Sequence, residues 1–205
     1  MASTTRTFLA VAVPEALETK LTRLQQQLAP TLVDVRWSAA PPFHVTLAFL
    51  GDVAVDDLNT VCKAVVASAA RFAPFMLRLE GLGVFPNPAR PRVLWTGVGG
   101  AGVETLGELH AALGETIARL NYRGDGRTYQ PHVTLGMFKP GSGGDPSANQ
   151  ALNHMLGHYK TWRAGPFSVT EVVAFSSTLG RDGPTYSALV RAPLRARKTG
   201  TTQTP

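Results

Sequence analysis

Cysteine is almost absent from this sequence, since Cys62 is the only one among 205 residues. A single thiol can form neither an internal disulfide nor a cysteine-based zinc site, so we expect a protein of the reducing cytoplasm. Long apolar runs are absent as well. No stretch approaches the ~20 apolar residues that span a bilayer, and FLAVAVP, residues 8–14, is too short for a signal-peptide core. We therefore expect no membrane association.

Charge is sparse and unevenly placed. Charged residues make up 17% of the chain, and the formal net charge is +6. Residues 191–205 contain no acidic side chain and four cations: Arg191, Arg195, Arg197 and Lys198. Removing these four charges from the total leaves only +2 for the rest of the chain. We expect one domain over residues 1–192 and a disordered basic tail over 193–205. The mildly basic body is compatible with a phosphate-bearing ligand.

The sequence contains a repeated segment. HVTLAFLG (44–51) and HVTLGMFK (132–139) begin with the same four residues, and each lies within the same predicted order of strand, helix, His-strand, helix and strand. The offset between the copies exceeds typical solenoid periods, which indicates two lobes related by a pseudo-two-fold axis. We predict a bilobal α+β fold, in which two pseudo-symmetric, mainly antiparallel sheets with flanking helices enclose a central cleft.

The repeated motif places its histidine and threonine side chains on one face of each strand. Alternate strand residues share a face, so His44 and Thr46 point one way and Val45 the other. His132 and Thr134 repeat the arrangement. An imidazole can act as acid or base near neutral pH, and a hydroxyl can donate a hydrogen bond to a phosphate oxygen. A lone His-x-Thr is typical of any solvent-facing strand, but its repetition favours metal-free hydrolysis of a phosphodiester.

The chain resembles the 2H phosphoesterase superfamily, named for paired His-x-Thr/Ser motifs, and within it the RNA 2′,3′-cyclic phosphodiesterases, also called 2′-5′ RNA ligases. The resemblance covers roughly residues 6–192 and rests on five segments in order: RTFLAVAVP, PFHVTLAFLG, GLGVFPNPARPRVLWTGV, YQPHVTLGMFK and SSTLGRDGPTYSAL. It implies hydrolysis of a terminal RNA 2′,3′-cyclic phosphate to a 2′-phosphate with neither metal nor cofactor. The same reaction run backwards implies 2′-5′ ligation of RNA ends. We expect a monomer.

The resemblance also implies roles for single residues. By motif order, His44 is the general acid that protonates the departing 3′-oxygen, and His132 is the base that activates water. The family often carries an arginine a few residues after the second motif, where this chain has Met137 and then Lys139. Either Lys139 or an arginine from elsewhere replaces it, or the phosphate is held less tightly. The candidate arginines are Arg90, Arg92, Arg127 and Arg181.

Aromatic side chains near the motifs are candidates for stacking on an RNA base, as in single-stranded RNA binders. Phe43 directly precedes His44, Tyr129 lies three residues before His132, and Phe8 lies in the opening strand. Ordinary packing is the alternative for all three. Two other functions also stay open. One is a different 2H phosphoesterase specificity, for a 2′-5′ oligonucleotide or a nucleotide-sugar cyclic phosphate, and the other is a non-catalytic RNA-binding module.

Two further motifs compete with this interpretation. GVGGAG (97–102) satisfies G-x-G-x-x-G between a strand and a helix, but the polar NYRGDGRTY follows where a dinucleotide-binding unit needs a strand with an acidic residue. HMLGH (154–158) has the histidine spacing of a zinc helix but lacks the glutamate of H-E-x-x-H, and Gly157 weakens the helix. We interpret them as a loop and a surface helix, and expect no metal site.

Overall fold

The computed structural model describes residues 3–38, 42–122, 128–143, 145–180 and 183–195. The strands of these residues are β1 (Thr4–Ala12), β2 (Val35–Trp37), β3 (His44–Ala54), β4 (Phe75–Phe85), β5 (Val93–Gly99), β6 (His132–Phe138), β7 (Arg163–Val169), β8 (Glu171–Gly180) and β9 (Gly183–Pro193). The α-helices are α1 (Glu15–Leu28), α2 (Leu58–Ala69), α3 (Val103–Arg119) and α4 (Pro146–His158).

The helices form where apolar side chains recur every three or four residues. The buried face of α3 consists of Leu106, Leu109, Leu113 and Ile117, which is the spacing of one helix face. Helix α4 begins with a side-chain cap, because Asp145 Oδ1 accepts a hydrogen bond from the Ser147 amide at 2.9 Å. Each helix therefore presents one apolar stripe, and these stripes cover the sheet.

The strands form one curled antiparallel sheet in the order β7-β4-β5-β6-β3-β1-β8-β9, with β2 also paired to β6. Helices α1 and α4 pack on the half that contains β7 and β4, and α2 and α3 pack on the half that contains β3, β8 and β9. The α+β class with mainly antiparallel pairing is thus confirmed. The two expected sheets are the two halves of this single sheet.

The halves of the sheet do not coincide with the two sequence repeats. Strands β1 and β3 come from the first repeat, yet their half is completed by β8 and β9 from the end of the chain. Strand β4 also belongs to the first repeat, but it pairs with β5 of the second. Each repeat therefore supplies its closing strand to the other half, and the two halves are interlocked through the chain.

Among the described strands, one ladder pair joins the two halves of the sheet. Val45 of β3 pairs with Val133 of β6, and both side chains are 0% exposed. These are equivalent residues, the second of each HVTL, so the pseudo-two-fold axis passes between them. The face of the sheet opposite these valines carries the histidines and threonines of the motifs, and we call it the motif face.

A β-bulge follows the motif in β6. The partner of β5 jumps from Thr134 to Gly136, which leaves Leu135 as the extra residue. Leu135 is buried, whereas Met137 is 41% exposed. Since a bulge shifts the alternation of faces along a strand, Met137 lies on the motif face together with Thr134. Without the bulge it would point into the core.

The first motif carries the same bulge. The partner of β1 jumps from Thr46 to Ala48 and skips Leu47. Phe49, five residues after its histidine as Met137 is after the other, is 44% exposed. The pseudo-symmetry therefore extends beyond HVTL to the backbone that follows it. Each half ends its motif with one large apolar side chain on the motif face.

The end of the described chain remains attached to this fold. Leu194 is buried, and its amide donates a hydrogen bond to the Thr170 carbonyl oxygen at 2.8 Å. Most of the predicted tail, residues 196–205, lies outside the described residues. Within the part of the chain that is described, no helix is long and apolar enough to cross a membrane.

The close approach of β2 to β6 requires a glycine at position 136. A methyl carbon there would lie 2.5 Å from Val35 Cγ1 and 3.0 Å from the Arg36 carbonyl oxygen. We expect Gly136→Ala to lower the free energy of unfolding by ~1–3 kcal/mol, as overpacking does, measured by urea denaturation. Gly114→Ala in α3 is the control, because its added carbon meets nothing within 4 Å and should raise helix stability by up to ~1 kcal/mol. Equal stabilities would contradict this packing.

Candidate active site

The four predicted side chains lie together on the motif face, at the contact between the two halves of the sheet. His44, Thr46, His132 and Thr134 are all half-buried, while the intervening valines fill the core. Continuing the antiparallel register from the valine pair places His44 opposite Thr134 and His132 opposite Thr46. The two histidines are then diagonal neighbours, whose Cα atoms are ~7–8 Å apart in such a ladder. A phosphate group fits between imidazoles spaced in this way.

Both imidazoles are held by the backbone in the same manner. His44 Nδ1 lies 3.0 Å from the Pro42 carbonyl oxygen, and His132 Nδ1 lies 2.7 Å from the Gln130 carbonyl oxygen. A carbonyl oxygen only accepts, so Nδ1 carries the hydrogen in each ring. Nε2 is therefore the atom that gains and loses a proton in each ring.

Aromatic rings surround His44. Its ring centroid lies 5.0 Å from that of Phe8 and 5.3 Å from that of Tyr186, which meets it edge-on at 86°. Phe175 stacks on Phe8 beneath them. This burial lowers the pKa of His44 below its ordinary value; the hydrogen bond to the Pro42 carbonyl opposes that change, and charge on His132 adds to it. Burial thus favours the neutral form of His44.

A second aromatic pair lies beside His132. The Phe85 ring meets it edge-on at a centroid distance of 4.9 Å, and Trp95 lies at 6.1 Å. Trp95 finds room because Gly83, its partner across the β4–β5 ladder, has no side chain: a Cβ on Gly83 would collide with the indole. The two imidazoles thus occupy similar backbone positions but different aromatic surroundings.

The hydroxyls of Thr46 and Thr134 face the same space. Neither hydroxyl is hydrogen-bonded to any residue that the structure describes. A hydroxyl donor with no protein partner can turn towards an incoming phosphate oxygen. The four motif side chains therefore provide two proton-transfer groups and two neutral donors at one place.

Two of the predicted aromatic contacts require correction. Phe43 is 3% exposed in the core, so it has no free ring face for a base; its position directly before the strand points it away from the motif face. Tyr129 stacks on His110 of α3 with ring centroids 3.8 Å apart. His110 Nδ1 in turn lies 2.7 Å from the Leu47 carbonyl oxygen. Tyr129 thus packs behind the motif, where burial raises the pKa of its phenol. Phe8 is buried as well and supports His44 from below.

The cations that are candidates for binding the phosphate lie in different parts of the chain. Lys139 Nζ lies 3.6 Å from Asp34 Oδ1, beyond the end of β6, and is engaged there. Arg90 and Arg92 lie in the exposed connection between β4 and β5. Arg127 and Arg181 lie outside the described residues.

The competing motifs form ordinary structure. GVGGAG spans the end of β5 and the turn into α3. His154 and His158 are exposed near the end of α4. Among the residues that the structure covers, no group of three or more His, Cys, Asp or Glu side chains is arranged to hold a metal ion.

The sequence reasoning missed several residues of this face. They are Arg36, Phe49, Phe85, Trp95, Phe175 and Tyr186. Phe85, Trp95 and Tyr186 lie within segments that carry the family resemblance, which was the available signal. Arg36 lies in VDVRW, whose alternation indicates a strand, but nothing local shows that this strand pairs with β6 beside the motif.

Comparisons with known proteins show the family of this chain. The family model described as LigT like Phosphoesterase matches residues 11–95 and 100–186, so each matched segment contains one His-x-Thr motif. An RNA 2′,3′-cyclic phosphodiesterase of Methanothermobacter thermautotrophicus is 32% identical over 182 residues, which are 89% of this chain and 95% of that protein. A protein of the same name from Aeropyrum pernix is 32% identical over 170 residues, 83% of this chain and 92% of the relative.

A solved structure shows the same fold. The crystal structure of TT0787 of Thermus thermophilus has a TM-score of 0.74 and 26% identity to this chain, and the match covers 93% of this chain and 98% of that one. The sheet and its paired motifs are those of a 2H phosphoesterase. Within that class the chain belongs to the LigT-like phosphoesterase family, as its sequence resemblance predicted, and it is an enzyme, a phosphodiesterase.

The backbone hydrogen bonds predict the tautomer of both histidines. In ¹H–¹⁵N long-range NMR spectra, neutral His44 and His132 should each show a protonated Nδ1 and an unprotonated Nε2. The pKa of His44 should lie below the ordinary ~6.5, because burial opposes its charge. Tyr186→Ala should raise that pKa towards ~6.5 by admitting water. An Nε2–H tautomer, or a His44 pKa above ~6.5 in the free protein, would contradict the described site.

Proposed function

We propose that this chain hydrolyses the 2′,3′-cyclic phosphate at an RNA terminus to a 2′-phosphate, using neither metal ion nor cofactor. The observation that carries the proposal is the pair of imidazoles on one face, each with Nδ1 held by a carbonyl, which leaves Nε2 as the proton-transfer atom. Two relatives named RNA 2′,3′-cyclic phosphodiesterase, each 32% identical to this chain, support the substrate. Two imidazoles suffice for both proton transfers of the reaction.

The reaction is a displacement at phosphorus. Nε2 of His132 removes a proton from water while the water oxygen attacks the phosphorus. The bond between phosphorus and the ribose 3′-oxygen breaks, and Nε2–H of His44 protonates that oxygen. One water is consumed, and a 2′-phosphate and a 3′-hydroxyl are formed. A proton then returns from His132 to His44 through solvent, which restores the starting state.

The acid role of His44 depends on the substrate. Burial lowers the pKa of His44, whereas an acid must begin protonated. A phosphodiester anion within ~4–6 Å favours the charged imidazolium and so raises that pKa. Charge on His132 lowers the pKa of His44 further, so His44 is protonated more readily while His132 is neutral. Substrate binding thus raises the pKa of His44 and favours its protonated form, which acts as the general acid.

The roles of the two threonines and the reverse reaction follow from the same geometry. Thr46 and Thr134 donate to the non-bridging oxygens, which gain charge as the transition state forms. A 5′-hydroxyl end of RNA in place of water gives the reverse reaction, 2′-5′ ligation, with the two proton roles exchanged. A monomer is sufficient for either direction, because one chain supplies both motifs.

The first test identifies the product in the presence of a chelator. We expect the protein to convert a 2′,3′-cyclic mononucleotide to the 2′-phosphate with EDTA present, as followed by phosphorus NMR. A 3′-phosphate would reverse the assignment of the leaving oxygen, and loss of turnover on adding EDTA would contradict the metal-free reaction. Absence of turnover on both mononucleotides and oligonucleotides would favour an RNA-binding module.

The second test removes each proton-transfer group. His44→Ala and His132→Ala should each lower kcat by at least ~10²-fold, because each removes one general acid or base. His154→Ala is the matched control, since His154 is exposed on α4 away from the motif face, and it should keep the wild-type rate. A near-normal kcat in either motif variant would rule out the two-histidine mechanism.

A further inference from the structure

Strand β2 places the side chain of one cation, Arg36, on the motif face. Val35 is buried and Trp37 packs against the core, so Arg36 between them points to the opposite side of the sheet. Its side chain is exposed. The register confirms the side, because Arg36 pairs directly with Met137, which the bulge in β6 places on the motif face.

The position of Arg36 relative to the histidines follows from the pairing along β6. Strands β2 and β3 lie end to end on the same edge of β6, β2 beside residues 136–138 and β3 at Val133. On the motif face the side chains therefore form successive rows across β6. His132 is in the first row with Thr46, His44 in the second with Thr134, and Arg36 in the third with Met137.

Arg36 is thus in the row next to His44. Rows on one face of a strand are ~7 Å apart, and an extended arginine spans about that length. Its guanidinium can therefore reach a phosphate held over the first two rows. The neighbouring Met137 has neither charge nor a strong hydrogen-bonding group, so it does not compete for the guanidinium.

No residue that the structure describes neutralises the charge of Arg36. Its side chain has no ion pair or hydrogen bond to any residue in the described part of the chain. Several other cations do have such partners: Arg78 and Arg163 bind Glu80, Arg191 binds Glu171, and Lys139 lies beside Asp34. A cation left without a partner beside the motif is available for a bound anion.

We propose that Arg36 binds the non-bridging oxygens of the phosphate that lies between His44 and His132. This inference rests on the proposed function for the identity of the reacting phosphate. The planar guanidinium matches two phosphate oxygens at once, which a lysine cannot do. Charge on these oxygens grows as water adds to phosphorus, so the interaction strengthens in the transition state. Arg36 is then a catalytic residue that takes the role of the family arginine, for which Lys139 was one of several candidates.

The test compares three single variants with the wild type. Arg36→Ala should weaken the binding of inorganic phosphate, measured by calorimetry, by roughly 10–100-fold, the effect of losing hydrogen bonds to a charged group. It should also lower kcat on the cyclic mononucleotide, whereas Arg36→Lys should recover part of both losses through its charge. Arg23→Ala, an exposed arginine on α1, should match the wild type. An Arg36→Ala protein that binds phosphate and turns over like Arg23→Ala would overturn the proposal.

A second-site variant tests the location of the cation. Because Met137 is directly opposite Arg36 on the same face, Met137→Arg in the Arg36→Ala background should restore phosphate binding. If phosphate binding does not recover in the double variant, the weaker binding of Arg36→Ala results from disturbed packing of β2, and the proposal fails. Phosphate binding is measured without turnover. Binding that depends on Arg36 in a wild type lacking cyclic phosphodiesterase activity would support this inference while refuting the proposed function.

Discussion

The antiparallel contact between Val45 and Val133 is the constraint on which the site depends. It joins the two halves of the sheet through one residue pair, and both valines are fully buried. Each is flanked by the histidine and the threonine of its motif. The position of one half relative to the other therefore fixes the separation of the imidazoles. The exchange of closing strands between the repeats supports this contact, since each half contains strands from both repeats.

A pseudo-symmetric frame must still give its two histidines different roles. Both make the same backbone contact, a hydrogen bond from Nδ1 to the carbonyl oxygen two residues earlier. Their surroundings differ, because Phe8 and Tyr186 enclose His44 while Phe85 and Trp95 flank His132. Burial lowers the pKa of His44, so its protonation depends on a bound anion. Side chains around the motifs, and not the motifs themselves, thus distinguish the two imidazoles.

The sequence predicts the parts of this account that have a local signal. The alternation of His-Val-Thr-Leu predicted which face His44 and His132 share, and the order of helices and strands predicted the α+β class. The exchange of strands between repeats depends on long-range pairing, which leaves no local pattern. The same holds for the bulge at Leu135, which reverses the face of Met137. The pairing of β2 with β6 is also long-range, so the sequence does not place Arg36 beside the motifs. Phe43 was a candidate for base stacking because it precedes His44, but it lies in the core.

The central claim is that His44 and His132 are the acid and the base of a single site. The pH dependence of kcat/KM for the two alanine variants tests it most directly. A base must be unprotonated, so the rate falls at low pH; an acid must be protonated, so the rate falls at high pH. His132→Ala should lose the fall at low pH and His44→Ala the fall at high pH. Profiles that keep both limbs in both variants would contradict the account.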